Sequence, residues 1–522
     1  MGRVIAKLVY TLAGLMLAVS LVGLRRASDD IARSSLELPG GVPAVVWEPA
    51  APLPFGQVPD FDPPAPVVVL CHGFAGNTAM TSALARRIAK AGYAVIAIDF
   101  RGHGENRNPL GPTADGIGLR QDIDAALLYA RTQPRFDGQR VALAGHSMGA
   151  FAVLAHAQRD PGIAAVVAIS GGRDVAGPFA PPNALFIWAA ADPAGMRKRG
   201  AELGAKLAGK EQLVEDRTYG ELEHGTGVRI SEVPGTDHIT ILYSAEAARR
   251  IVDWLALALG PGHGRPETPG ADPRFRWSGL GLLAALVLVF GAPRALAGLA
   301  PRVGLPRLER PLSHLALVAL ALASAVLLLA GVDASAVRGA FGFIPLTAGR
   351  DLFGFFGLAG ALLLALGAAR GAVRAEGLGD PRTWLVGGLL FALVYLVVGT
   401  LQAPFGSVFP APHRLGWCAG ATLLILPFFG ASEWLLRGSG RTGLWLPVLG
   451  KALTLLAVTG GALSGLLPFV ILLGIVPITL FFVFFELVAL RLARNMPNPW
   501  LAALFQAAFT AFAFASIFPR ES

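Results

Sequence analysis

At 522 residues, 54% hydrophobic and 15% charged, with a mean hydropathy of +0.56, the chain is too long for one domain and too apolar to be one soluble globule. The net charge of +9 is uneven: residues 40–260 hold 20 Lys+Arg against 22 Asp+Glu and the remainder 24 against 13. The basic excess therefore belongs to the apolar part, where interhelical loops account for it and a nucleic-acid partner is not implied. Two cysteines, Cys71 and Cys418, exclude a disulfide scaffold and a cysteine-based zinc site.

The chain opens with Arg3 and Lys7 around an apolar run from about Leu8 to Leu24, long enough to span a bilayer. Ala18-Val19-Ser20 fits a signal-peptide cleavage site, but Arg25-Arg26 so soon afterwards is unusual for a mature N-terminus and favours an uncleaved anchor over residues 1–26. Either way the next domain, residues 36–260, is expected to be exported. It begins with a Pro-rich stretch (Pro49 to Pro66) that reads as extended, poorly packed surface.

From Val67 short apolar strands alternate with helices, the pattern of a mostly parallel sheet covered on both faces. Strands are predicted at 67–70, 93–98, 141–144, 163–169, 184–190 and 228–233, and helices at 82–91, 119–131 and 244–259. The elbow strand runs into Gly145-His146-Ser147-Met148-Gly149 and then the apolar helix from Ala150. A serine between two glycines at a strand-to-helix turn presents its hydroxyl at the apex, because the turn brings the two backbones too close for side chains at the glycine positions.

Together with His72-Gly73-Phe74 after one strand and Asp99-Phe100-Arg101-Gly102-His103-Gly104 after the next, this elbow resembles the α/β-hydrolase superfamily, close to its monoglyceride-lipase and serine-aminopeptidase-like branch. The resemblance covers roughly residues 40–260. It implies a triad in the order serine, acid, histidine. Ser147, Asp192 after the strand at 184–190, and His238 in the loop after the last strand fit those places. Asp192 before Pro193 could instead start a helix. Asp174 competes as the acid, since some relatives carry it there, and His224 competes with His238 from the wrong end of a strand. The backbone N–H groups of Phe74 and Met148 are the expected oxyanion donors. His72, His103 and His146 are expected to brace their loops by hydrogen bonds, and neither a metal nor a cofactor is called for. Many relatives insert a helical cap after the strand ending at Ser170; the short segment Gly171 to Asn183 leaves no room for one.

A Pro/Gly-rich linker, residues 261–275, leads to eight further apolar runs near 278–298, 312–332, 352–369, 383–402, 415–435, 443–463, 467–490 and 500–518, an all-α transmembrane domain over 276–520. Eleven arginines fall in the loops near 294–310, 370–382, 437–441 and 491–499, whereas the alternate loops carry Arg338, Arg350 and Arg414. By the positive-inside rule the first set is cytoplasmic and the 36–260 domain extracytoplasmic, on a bacterial cytoplasmic membrane. Within the spans, Lys451 is expected to pair with Glu486, Glu433 or both. The expected function is a membrane-bound serine hydrolase, an esterase or lipase on acyl esters, in contact with membrane lipids. Peptidase or acyltransferase chemistry and a binding-only head on a transport or scaffold protein are the alternatives.

Overall fold

The sheet runs through Ala32–Leu38 (β1), Val42–Glu48 (β2), Ala65–Cys71 (β3), Ala94–Ile98 (β4), Phe136–His146 (β5), Ala165–Ile169 (β6), Ala184–Ala189 (β7) and Val228–Val233 (β8). Its order is β1-β2-β4-β3-β5-β6-β7-β8, with β1 and β2 antiparallel and every pair from β4 to β8 parallel. This is a computed structural model, and it describes residues 2–51, 59–111, 117–172, 177–264, 267–331, 336, 339–438 and 442–521.

The central strands read as unbroken apolar runs because both faces are covered. Along β3, Val67, Val69 and Cys71 enter one core with Leu143 and Phe186, while Val68 and Leu70 enter the other with Ala144 and Ile187. Helices Ile117–Thr132 (α3) and Met148–Ala157 (α4) cover the first face; Ser82–Lys90 (α2) and Ala245–Leu259 (α6), with Trp254 at its centre, cover the second. Ala194–Leu207 (α5) joins β7 to β8. This is the α/β-hydrolase fold.

The hairpin that opens the sheet and the packing of the linker lay outside the sequence reading. The sheet opens with the hairpin β1–β2, whose Gly40-Gly41 turn takes φ of 78° and 73°, the left-handed region that glycine enters without penalty. The described residues of the 261–275 stretch pack against the hydrolase core. His263 N–H donates to Gly92 O (2.7 Å), Glu267 N–H donates to Lys90 O (2.8 Å), and a Cβ on Gly262 would lie 2.3 Å from Ala91 O.

The chain divides into two compact units. The hydrolase unit comprises Ser20–Gly279 together with Gln402–Ser407 and Pro519–Ser522. The last of these segments is stitched to the loop after β4: Arg520 N–H donates to Gly102 O (2.7 Å), and Leu110 N–H donates to Arg520 O (2.9 Å).

The other unit comprises Met1–Val19, Leu280–Leu401 and Val408–Phe518. Nine helices among the described residues are long and apolar enough to cross a membrane, Gly2–Ser28 (α1) and Pro273–Ala295 (α7) among them. At the core of this unit the helix Leu415–Leu436 packs against Gly349–Ala369 and Pro499–Ile517. Small residues permit the approach: a Cβ on Gly360 would lie 2.4 Å from Phe428 N, and one on Gly430 would collide with Trp500. Arg414, expected in a loop, is fully buried, and its Nη1 donates to Ala515 O (3.1 Å) and Phe518 O (2.8 Å) at the C-terminal end of the last helix, where a cation meets orphan carbonyls. Lys451 Nζ donates to Glu486 Oε2 (2.8 Å), as expected. The other member of the cluster is Arg437, read in the sequence as a loop charge: it bridges Glu433 and Glu486, donating to both oxygens of Glu486 at 2.9 Å.

Candidate active site

Ser147 sits between β5 and α4 with φ 52° and ψ −111°, a strained conformation for a side chain other than glycine. The turn is held by Ser147 N–H donating to Ile169 O (2.9 Å). Its neighbours must be glycines, since a Cβ on Gly145 would lie 2.3 Å from Gly149 O and one on Gly149 2.5 Å from Cys71 O. That crowding draws the end of β3 against the elbow: a Cβ on Gly73 would lie 3.1 Å from Ser147 Cβ. The segment carrying Phe74 is thereby next to the serine, and Met148 is the first residue of α4.

The three sequence candidates come together. His238 Nε2 lies 3.1 Å from Ser147 Oγ, and His238 Nδ1–H donates to Asp192 Oδ1 at 2.6 Å. The Asp192 side chain is fully buried and that of His238 is 15% exposed. Burial by itself would raise the Asp192 carboxyl, but hydrogen bonds from His238, Ser170 and the Ala189 N–H hold it below its ordinary value. Ser170 was not singled out by sequence reasoning. Its Oγ donates to Asp192 Oδ2 at 2.6 Å, and the only sequence signal was a hydroxyl at the carboxyl end of the strand beside β7. The rival acid Asp174 lies outside the described residues. His224 is away from this group, exposed and paired with Glu221 at 2.5 Å.

The motif histidines brace loops. His72 Nδ1–H donates to Gly73 O (2.7 Å) and its Nε2 accepts the Phe100 N–H (3.0 Å), which fixes a neutral ring whose pKa burial pushes down. His146 Nε2–H donates to His238 O at 2.7 Å, tying the elbow to the histidine loop, and burial pushes its ring down to about 3. His103 Nδ1–H donates to Arg101 O (2.9 Å). No group of three or more potential metal ligands occurs among the described residues. The described residues between β6 and β7 carry no helix.

Residues 62–202 match the family described as serine aminopeptidase, S33. The chain is 35% identical to the monoacylglycerol lipase of Mycolicibacterium smegmatis over 114 residues, 22% of this chain and 39% of that protein. It is likewise 35% identical to the quorum-quenching protein AidA of Acinetobacter baumannii over 103 residues, 20% of this chain and 34% of that one. An uncharacterized 31.7 kDa protein of Escherichia coli is 31% identical over 21% of this chain and 39% of its own length. The chain thus spans about two fifths of the length of the curated relatives it matches. Among solved structures, an esterase of Pyrobaculum calidifontis aligns with a TM-score of 0.32 at 18% identity, over 48% of this chain and 90% of that one.

Proposed function

We propose that this chain, which joins an α/β-hydrolase domain to a multi-pass membrane region, is a serine hydrolase of acyl esters that works through an acyl-enzyme. The observation that carries this reading is the Ser147–His238–Asp192 relay, with both hydrogen bonds in range on a strained elbow. His238 takes the serine proton as Ser147 Oγ attacks the acyl carbon, and Asp192 holds the ring with Nδ1 protonated and steadies it once charged. The Phe74 and Met148 N–H groups receive the oxyanion, each such donor contributing about 3–4 kcal/mol in comparable sites. His238 then returns the proton to the leaving alcohol, and water repeats the cycle to release the acid. Esters lead because one relative is named a monoacylglycerol lipase; the aminopeptidase description of the matching family keeps peptides as the second reading.

A fluorophosphonate probe is expected to label Ser147, and Ser147→Ala to abolish labelling and lower ester turnover by about 10⁴-fold or more. A panel of acyl esters and aminoacyl amides then separates the two readings. Labelling that persists in the alanine variant would overturn the assignment.

The hydrolase unit is read as extracytoplasmic. The arginine bias supports this: Arg294, Arg302, Arg370, Arg374 and Arg382 are exposed on one set of span ends, where Arg437 alone among the arginines named here is buried, while on the other Arg350 and Arg414 are buried and Arg338 lies outside the described residues. In intact cells Pro261→Cys should react with an impermeant maleimide and Arg374→Cys should not, against a low background from the buried Cys71 and Cys418. The opposite pattern would invert the topology.

A further inference from the structure

Within the hydrolase unit a groove of about 450 Å³ is lined by Arg87 of α2, by Tyr243 and by the start of α7, including Asp272, Phe275 and Arg276. Arg87 is unusual there. It is 3% exposed, its Nε donates to Gly270 O (3.0 Å), its guanidinium lies 5.8 Å from the Phe275 ring centre, and its Nη1 has no hydrogen-bond partner. The nearby carboxylate is already committed: Asp272 accepts from Arg274 Nη2 (2.6 Å) and Nε (3.0 Å) and also faces Arg86 at 3.8 Å. Burial accordingly pushes the Arg87 guanidinium below its ordinary value, with Asp272 the main opposing influence. Arg276 is exposed, over the Trp277 ring at 5.0 Å. A desolvated cation with an unused donor, beside a second cation, is an anion site in search of its anion.

The groove's place in the chain selects the anion. Its wall is the first turn of α7, an apolar helix of spanning length. At its rim Phe405, from the loop between two further spans, stacks on Phe275 (centroids 4.7 Å apart, 14° between planes) and accepts the Tyr243 hydroxyl hydrogen bond. Two points where the chain passes into spans thus meet at an aromatic cluster, the composition of a membrane–water boundary. The geometry points to a binding site for the phosphodiester headgroup of an anionic membrane phospholipid. Arg87 and Arg276 hold the phosphoryl oxygens, and Tyr243 and Phe275 flank the glycerol end. None of these contacts involves Ser147, Asp192 or His238.

The test is native mass spectrometry of the full-length protein in detergent, titrated with phosphatidylglycerol, phosphatidylcholine or inorganic phosphate, wild type beside Arg87→Gln and Arg276→Gln. Arg276 is exposed, so its variant folds even if the Arg87 variant does not; melting temperatures check both. The wild type should retain phosphatidylglycerol in preference to phosphatidylcholine. Each variant should bind it about tenfold more weakly or worse, and millimolar phosphate should displace it only partly. Equal retention of phosphatidylglycerol by wild type and Arg276→Gln, equal retention of both lipids by the wild type, or full saturation by inorganic phosphate with no lipid held would each overturn the proposal, the last by identifying a free-phosphate site.

Discussion

Both units bury ionisable groups, and they close those groups off differently. In the hydrolase unit Asp192 uses Oδ2 on Ser170 Oγ and the Ala189 N–H and Oδ1 on His238, and the far side of that ring meets a half-buried hydroxyl. The run of bonds ends at the Ser147 hydroxyl. In the membrane unit Glu433 is met by Arg437 and by Gln506 Nε2 (2.8 Å), and Glu486 by Arg437 and Lys451. Two anions and two cations there satisfy one another. Buried charge that closes on itself fixes how helices pack, whereas the same chemistry with one end open supports proton transfer.

The sharpest way to break this contrast is to blunt the open end. Asp192→Asn should lower kcat by about 10³–10⁴-fold with little change in KM, because the ring loses its anchor and its tautomer, while Asp174→Asn should stay within a few-fold. Steady-state kinetics on a soluble ester decides, and a reversed ranking would move the acid. Breaking the closed cluster should instead act on folding. Arg437→Met leaves two carboxylates short of their shared cation, a loss on the order of 3–5 kcal/mol, and Lys451→Met should cost less because one contact goes. Folded yield and melting temperature should fall in that order, while hydrolysis by the remaining folded protein stays nearly unchanged. A loss of turnover per folded molecule would show the cluster to be open after all.

The mildest test is acid. His72 and His146 have pKa values pushed down by burial, so the unfolded chain binds protons that the folded one refuses. The stability they leave intact near neutrality is lost as pH falls below about 6.5, at about 1.4 kcal/mol per pH unit for each such proton. Asp192, whose folded pKa is depressed, adds stability that is present above about pH 4 and disappears as pH falls through its lower folded value. Melting temperatures of the wild type and His146→Gln between pH 7 and pH 4 should converge on acidification.

What could be read in advance follows from how local each constraint is. The elbow was legible because the crowding at Gly145 and Gly149 writes itself into the residue types. Asp192 and His238 were legible from their places after strands, although Ser170, which fixes the carboxylate, was not, since nothing in a lone hydroxyl says which neighbouring strand it faces. β1 escaped because Ala32–Leu38 is an edge strand with mostly polar, exposed residues, and its signal lay in the Gly-Gly turn. α5 was signalled only as a helix that Asp192-Pro193 could start, and its length escaped for a similar reason: few of its residues are buried. Arg437 and Arg414 were counted as loop charges because they stand at helix ends, and only the packing of distant helices reveals that both are buried.

The stitch between Arg520 and the loop after β4 sets a clock. Arg520 Nη1 donates to Arg107 O across a separation of 413 residues. At about 5–20 residues per second of synthesis, the loop waits roughly 20–80 s for its partner, and every described span after α1 is made in that interval. The hydrolase unit therefore receives these backbone hydrogen bonds only after the membrane region has been translated, so the stitch reports that synthesis has passed residue 520.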